Sequence, residues 1–218
     1  MLAADLDFGI VYMRPRSRHL DDALRAQKNR GLVAVHPVEA VSGAPQGVRL
    51  GVVDLFHFSH DPTIERFVPH VPVTNPGQPP LVWAIDAEHA PLYWFPRDCP
   101  RVTAWPRNSD EQAAFQGAFC TTAARVHAVE LSWLPTVWST VLFRYRFEGA
   151  AFRPWTEASG HWITDVAVEP VEVERFDDVI GHHISAEVEL RAVAHLWPLR
   201  DLAVAGPWDF SVVRFRRT

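Results

Sequence analysis

The stretch LVWAIDAEHAPLYWFPRDCPRVTAW, residues 81–105, constrains the fold of this chain more than any other segment. Its first five residues form an apolar run directly after two prolines, and a run of that length favours a buried strand over a helix. Asp86 is a suitable N-cap for one or two helical turns that extend to Phe95. A second strand is predicted over residues 102–105. Polar side chains near these strand ends can then face a pocket.

Short strands alternate with a few helices along the rest of the chain, without internal repeats. Strands are predicted over residues 52–59, 125–131, 141–147, 152–155, 161–164, 166–176, 188–193 and 210–215. Helices are predicted over residues 109–119, 177–183 and 195–205, with a further short one at Pro135. This order indicates one α+β domain over residues 52–218, built from short mixed or antiparallel strands.

Residues 1–51 differ from the rest of the chain. They hold seven basic and five acidic residues, whereas the remainder has an excess of acids. They contain no tryptophan, although the chain has nine. We interpret residues 1–51 as a poorly packed N-terminal extension. The alternative is a start codon assigned too far upstream, with the true start near Val52 or Val53.

Composition excludes several functional classes. A net charge of −5 and a pI near 6.1 argue against general nucleic-acid binding, which needs clustered basic residues. No apolar run approaches the roughly 20 residues that span a bilayer, so no membrane segment is predicted. The two cysteines have no metal-site spacing, and reduced thiols are the default for such a chain. We therefore expect a soluble cytoplasmic protein.

Side chains from two predicted strands, and from the segment that follows the second strand, are candidates for a small-molecule or nucleotide pocket. Alternation places His57 on one face of its strand, with Phe56 and Phe58 on the other face as the better core candidates. A neutral imidazole can donate from one nitrogen and accept at the other, which suits a ribose hydroxyl or a carbonyl. Aromatic rings can stack a flat ligand, and an arginine can bind phosphate. The predicted ligand-binding residues are His57, Ser59, Trp83, Asp86, His89, Tyr93 and Arg97.

Each of these residues also has a structural interpretation, and the sequence leaves both open. His57 can be a hydrogen-bonded core histidine, and the aromatic residues can belong to the core. His57 and His60 face opposite sides of a strand, so no metal site is predicted. Cys99 can be a nucleophile beside His89 or an inert buried thiol. The oligomeric state is open.

Three motifs carry a family resemblance: FHFSHDPTIERFVP, VWAIDAEHAPLYWFPRDCPRV and GHWITDVAVEPVEV. They resemble a bacterial family of uncharacterised proteins, one of the domain-of-unknown-function families, over residues 53–215. That resemblance implies no established activity.

At the level of fold, the order of elements resembles the ADP-ribosyltransferase-like superfamily. The resemblance rests on Leu55-Phe56-His57 in a first strand and on Val82-Trp83-Ala84 in a later one. It implies NAD as a possible cofactor and names His57, Glu157 and His161 as catalytic candidates. The acidic residue that the superfamily carries late in the fold is replaced here by Gly160 or His161. Whether the chain is an enzyme is therefore open, and a non-catalytic ligand- or protein-binding domain is the alternative.

Overall fold

A computed structural model of the chain describes residues 10–11, 53–71 and 77–215. The described residues form two β-sheets and four α-helices, which confirms the predicted α+β class. The six-stranded sheet is antiparallel throughout, and the five-stranded sheet is mixed.

The six-stranded sheet has the order β7-β8-β3-β2-β6-β9. Its strands are β2 (Asp54–Ser59), β3 (Val82–Asp86), β6 (Leu142–Glu148), β7 (Arg153–Pro154), β8 (His161–Thr164) and β9 (Glu172–Phe176). Strand β2 lies at the centre, between β3 and β6, and pairs His57 with Tyr145. This position brings His57 next to the strand that carries Trp83.

The five-stranded sheet has the order β1-β11-β4-β5-β10. Its strands are β1 (Ile10–Val11), β4 (Arg101–Trp105), β5 (Arg125–Glu130), β10 (Val188–Val193) and β11 (Asp209–Val213). Strands β5 and β10 are parallel, and β4 runs antiparallel to both β5 and β11. The carboxyl ends of β5, β10 and β11 therefore meet at one edge of the sheet, beside the first residue of β4.

The helices are α1 (Ser109–Phe119), α2 (Leu134–Ser139), α3 (Val179–Ser185) and α4 (Trp197–Ala205). The N-cap of α1 is Asn108, whose side chain accepts hydrogen bonds from the backbone N–H groups of Asp110 and Glu111. Pro135 lies at the start of α2, where its missing N–H costs nothing.

Buried side chains join the two sheets. One apolar cluster contains Phe58, Ile85 and Phe176 from the six-stranded sheet together with Val129 from the five-stranded sheet. A second cluster packs α1 and α4 on the five-stranded sheet, with Trp208 between Phe115 and Phe119. The two sheets therefore pack on each other through the first of these clusters.

Two predicted elements differ from the observed ones. The strand predicted over residues 166–176 is regular only from Glu172, and before it Val168 forms an isolated bridge with Phe67. The helix predicted after Asp86 is a single 3-10 turn, Ala90–Tyr93, which contains Pro91 and is soon followed by Pro96. A proline has no N–H for a helical hydrogen bond, so Pro96 cannot extend the helix. The prediction of Asp86 as the N-cap is wrong, since the N-cap of this turn is His89. Asp86 instead accepts a hydrogen bond from the backbone N–H of His89 at 2.9 Å.

Candidate functional site

His57 lies in the interior, with 3% of its surface exposed. Its Nδ1 is 3.0 Å from the backbone oxygen of Trp83, and since a carbonyl only accepts, Nδ1 carries the proton. The imidazole also packs on Phe67, with 4.7 Å between ring centroids. Burial lowers the pKa of His57 to about 4, so the ring is neutral at pH 7.

Both faces of β2 are covered, which the alternation argument did not anticipate. Leu55 and His57 pack with Phe67 and Tyr145 on one face, and Phe58 packs with Phe176 on the other. A central strand of a sheet covered on both sides has no open face. The His57 face is thus packed against apolar side chains.

Tyr93 and His161 form the most chemically distinctive contact of the predicted site. The Tyr93 hydroxyl is 2.7 Å from Nε2 of His161, and Nδ1 of His161 is 2.9 Å from the backbone oxygen of Ser159. Because Nδ1 must donate to that carbonyl, Nε2 accepts a hydrogen bond from the Tyr93 hydroxyl. Burial lowers the pKa of His161 to about 4, which keeps this imidazole neutral.

Asp86 and His89 lie beside this pair. Nδ1 of His89 donates to Oδ1 of Asp86 at 2.8 Å. Burial by itself would raise the pKa of Asp86, but hydrogen bonds from His89 outweigh it and hold that pKa below its usual value. Gly160, at φ 75°, passes so close to His89 that an added Cβ would lie 2.2 Å from the ring. A glycine is therefore required where this turn meets the imidazole.

The cavity at the centre of the predicted site is small. It is lined by His57, Trp83 and Tyr93 together with apolar neighbours, and its volume is about 20 Å³. That is room for about one water molecule. Trp83 is itself 7% exposed and packs edge-to-face on Trp155 at 5.4 Å. A nucleotide would fit here only after side chains had moved.

The structure thus brings six of the candidates into one neighbourhood: His57, Trp83, Asp86, His89, Tyr93 and His161. Ser59 caps the next turn, where its Oγ accepts from the N–H of Asp61. Arg97 is exposed; its backbone N–H donates to Nε2 of His60 at 3.3 Å, and its charge contributes to lowering the pKa of His57. Glu157 is exposed in the turn before β8. The assignment of these residues to ligand binding or catalysis stays a prediction.

Of the two interpretations given above for Cys99, a nucleophile or an inert buried thiol, the structure supports the second. Cys99 is fully buried, and burial, together with the charge of Glu130, raises its pKa to about 12 against the opposing effect of Arg101. A thiol of that pKa is not a nucleophile at neutral pH.

A larger cleft lies on the other side of the Arg97-Asp98-Cys99 segment. Its volume is about 620 Å³, within the range of small-molecule sites. It opens at the sheet edge where β5, β10 and β11 end, so its walls come from residues that follow those strands or precede β4. We call this space the strand-end cleft; its lining residues are Asp98, Pro100, Glu130, Trp133, His195, Trp197, Arg214 and Phe215.

Arg214 has an unusual backbone in this cleft, at φ 55°. Three other non-glycine residues in the described ranges have positive φ, and all lie at helix ends: Cys120, Asp178 and Glu187. Arg214 instead ends a strand, and a left-handed residue costs about 1–2 kcal/mol there. Its side chain is 15% exposed, with Nη2 3.5 Å from Oδ1 of Asp98. The strained turn thus fixes a guanidinium in the cleft wall.

None of the ionisable residues of the cleft is among the site residues predicted from the sequence. Its lining residues are separated by up to 117 positions, from Asp98 to Phe215, and only Asp98 and Pro100 belong to a motif quoted above. No local pattern marks the others, because Glu130, Arg214 and Phe215 lie inside the strands predicted over residues 125–131 and 210–215. Grouping them needs the strand order, which the sequence does not give.

Among the described residues, no group of three or more His, Cys, Asp or Glu side chains could hold a metal ion. In the same ranges, no helix combines the length and apolar character that a bilayer crossing requires.

Comparison with family models matches residues 56–218 to DUF6886, a family of unknown function. No curated protein matches the chain. No solved structure matches it either.

Proposed function

Because this chain belongs to the DUF6886 family of unknown function, whose description specifies no reaction, we propose a function from its geometry: it binds a small organic molecule in the strand-end cleft. The observation that carries the proposal is the volume of that cleft, about 620 Å³ against about 20 Å³ at the cluster around His57. Only the larger space accepts a ligand of ordinary size without rearrangement.

The composition of the walls supports the proposal. Trp133, Trp197 and Phe215 supply apolar area, and Trp197 stands edge-to-face on Phe215 with 4.7 Å between centroids. Trp197 is 38% exposed, so part of its ring remains open to a ligand. Aromatic walls with a few fixed charges are typical of ligand sites. The strained backbone at Arg214 also supports this location, since such strain concentrates at functional sites.

A thermal-shift screen with small aromatic acids, amines and nucleotides tests the proposal. A ligand that binds the folded state raises its melting temperature by mass action. We expect Trp197→Ala to abolish the shift, because it removes a wall of the cleft. Trp138→Ala serves as the matched control, since Trp138 is 72% exposed on α2 and does not line the cleft.

Two results would contradict the proposal. One is a screen in which no compound raises the melting temperature. The other is a set of hits that survive Trp197→Ala but disappear in Tyr93→Phe, which would place the ligand at the small cavity instead.

The Tyr93–His161 hydrogen bond favours a second candidate function, acid–base catalysis at the small cavity. In a proton-transfer step the neutral Nε2 of His161 would take the proton of Tyr93. The low pKa of His161 makes this imidazole a weak base. A divergent ADP-ribosyltransferase with NAD as its cofactor is one form of this second function. It requires movement of Trp83 or Tyr93 to admit a nucleotide. Bacterial origin and a cytoplasmic location stay predictions that neither function depends on.

A further inference from the structure

The strand-end cleft has an excess of negative charge. Two carboxylates, Asp98 and Glu130, face one guanidinium, Arg214, and the remaining ionisable residue is His195. Asp98 lies 3.5 Å from Arg214, so these two charges offset each other. Glu130 is then the charge that the cleft leaves uncompensated.

Glu130 ends β5 and is half-buried. Within the described ranges its carboxylate has neither an ion-pair partner nor a hydrogen-bond donor. Its charge nevertheless acts on the interior, since it helps to raise the pKa of the buried Cys99 thiol. The carboxylate therefore lies close to the 98–100 segment that forms part of the cleft wall. A half-buried carboxylate is stabilised by a cation that replaces its lost hydration.

The neighbours of Glu130 suit a cation of a particular kind. Trp133 is three residues away along the chain, and Trp197 and Phe215 line the same space. The faces of aromatic rings attract cations, and desolvation strengthens that attraction. The ring of Trp197 already attracts one cation, since the guanidinium of Arg200 lies 5.9 Å from its centroid. Aromatic rings next to a carboxylate are the arrangement that binds organic ammonium groups.

We infer that the strand-end cleft takes an organic cation, an amine or quaternary ammonium with an apolar or aromatic body, and that Glu130 binds its charged group. This inference rests on the proposed function. A protonated amine donates a hydrogen bond to the Glu130 carboxylate, whereas a quaternary ammonium, which has no N–H, is held there by charge and by the aromatic faces. In both cases the body lies against Trp133 and Trp197. The Arg214–Asp98 pair remains in place as part of the wall.

Three probes of similar shape and different charge test the inference by isothermal titration of the full chain. They are tryptamine, tryptophol and indole-3-acetate, which are cationic, neutral and anionic at pH 7. We expect tryptamine to bind at least about 10-fold more tightly than tryptophol, with indole-3-acetate the weakest. One charge-assisted hydrogen bond accounts for a difference of that order.

Glu130→Gln should lower the affinity for tryptamine by about 10-fold or more and leave tryptophol unchanged. Glu169→Gln is the matched control, because Glu169 is exposed and does not line the cleft. Trp197→Ala should weaken all bound probes, since it removes a wall.

The outcomes separate the inference from the proposed function. If indole-3-acetate binds most tightly and Arg214→Gln abolishes that binding, the cleft is an anion site and the inference is wrong while the proposed function stands. Equal binding of tryptamine and tryptophol, or an unchanged affinity in Glu130→Gln, also overturns it. If none of the probes binds although other compounds of the thermal-shift screen lose their effect in Trp197→Ala, only the inference fails. Binding that Trp197→Ala does not alter contradicts both.

Discussion

Single side chains in the centre of the six-stranded sheet have both polar and packing roles. His57 donates to the backbone of Trp83 while its ring packs on Phe67, and Trp83 packs on Trp155. A polar group in such a position is stable because its hydrogen bond replaces the one lost to water. Residues whose sequence pattern suggests a binding site can thus be part of the packed interior.

Trp83→Ala tests this role at the residue scale. We expect a loss of about 3–5 kcal/mol in the free energy of unfolding, because the change leaves a cavity in a packed interior. Chemical denaturation measures it. Trp138→Ala, the same change at a site that is 72% exposed, should stay within about 0.5 kcal/mol of the parent. A loss below about 1 kcal/mol for Trp83→Ala would show that Trp83 is not a core residue.

At the scale of elements, a pair of buried histidines connects β5 to α3. Nδ1 of His183 is 2.6 Å from the backbone oxygen of Val179 and must donate to it, so Nε2 of His183 accepts from Nδ1 of His127 at 3.1 Å. Nε2 of His127 then has only its lone pair, and it is buried without a partner in the described ranges. Protonating it would place a charge in the interior beside Arg101 and Arg125, which already lower its pKa.

We expect this packing to make the fold sensitive to acid. Burial holds the pKa of His57, His161 and His183 at about 4, and holds that of His127 well below its ordinary value. The unfolded chain, with histidine near 6.5, binds more protons between pH 6.5 and 4. Stability is therefore complete above pH 6.5 and is lost as pH falls towards 4. Each such histidine contributes up to about 1.4 kcal/mol per pH unit.

Urea unfolding between pH 5 and 6.5 measures that dependence above the range in which carboxylates titrate. His127→Gln should reduce the slope by about one proton, since it removes one buried imidazole. Trp138→Ala should leave the slope unchanged, because it removes an exposed side chain that binds no proton. A slope near zero in the parent protein, or equal slopes in all three proteins, would contradict the prediction.

At the scale of the whole molecule, the family match begins at residue 56 and covers every strand but β1 and the first residues of β2. Strand β1 adds two residue pairs to the edge of the five-stranded sheet, Ile10 with Val213 and Val11 with Val212. The apolar clusters of the described residues involve positions 55–215. The proposed separation of residues 1–51 from the domain stays a prediction.

Deleting residues 1–51 should leave the melting temperature within a few degrees of the parent, because the buried clusters found among the described residues lie between positions 55 and 215. Hydrogen exchange at Val212 and Val213 should become faster, since these residues lose their paired strand. A fall of about 10 °C in a thermal melt would show that the deleted residues pack on the domain, because ~1 kcal/mol shifts a domain of this size by only a few degrees.

The sequence by itself determined the local elements. Alternation and turn residues located strands β2, β3, β5, β8 and β10 within a residue or two, and the α+β class followed from their order. Such patterns are local, because they depend on side chains two to four positions apart. The same locality placed Trp83, Asp86, His89 and Tyr93 near each other, since all lie within eleven residues of chain.

The tertiary structure alone decided which side chains meet across the sheets. Alternation shows that His57 and Phe58 face opposite ways, but it cannot show that both faces of β2 are covered. It also cannot show that β5, β10 and β11 end at the same edge, which is what brings Glu130, Trp197 and Arg214 around one cleft. Strand order depends on the packing of apolar faces from distant parts of the chain. The candidate site that the structure supports best is therefore the strand-end cleft rather than the stretch over residues 81–105. No local sequence pattern marks that cleft.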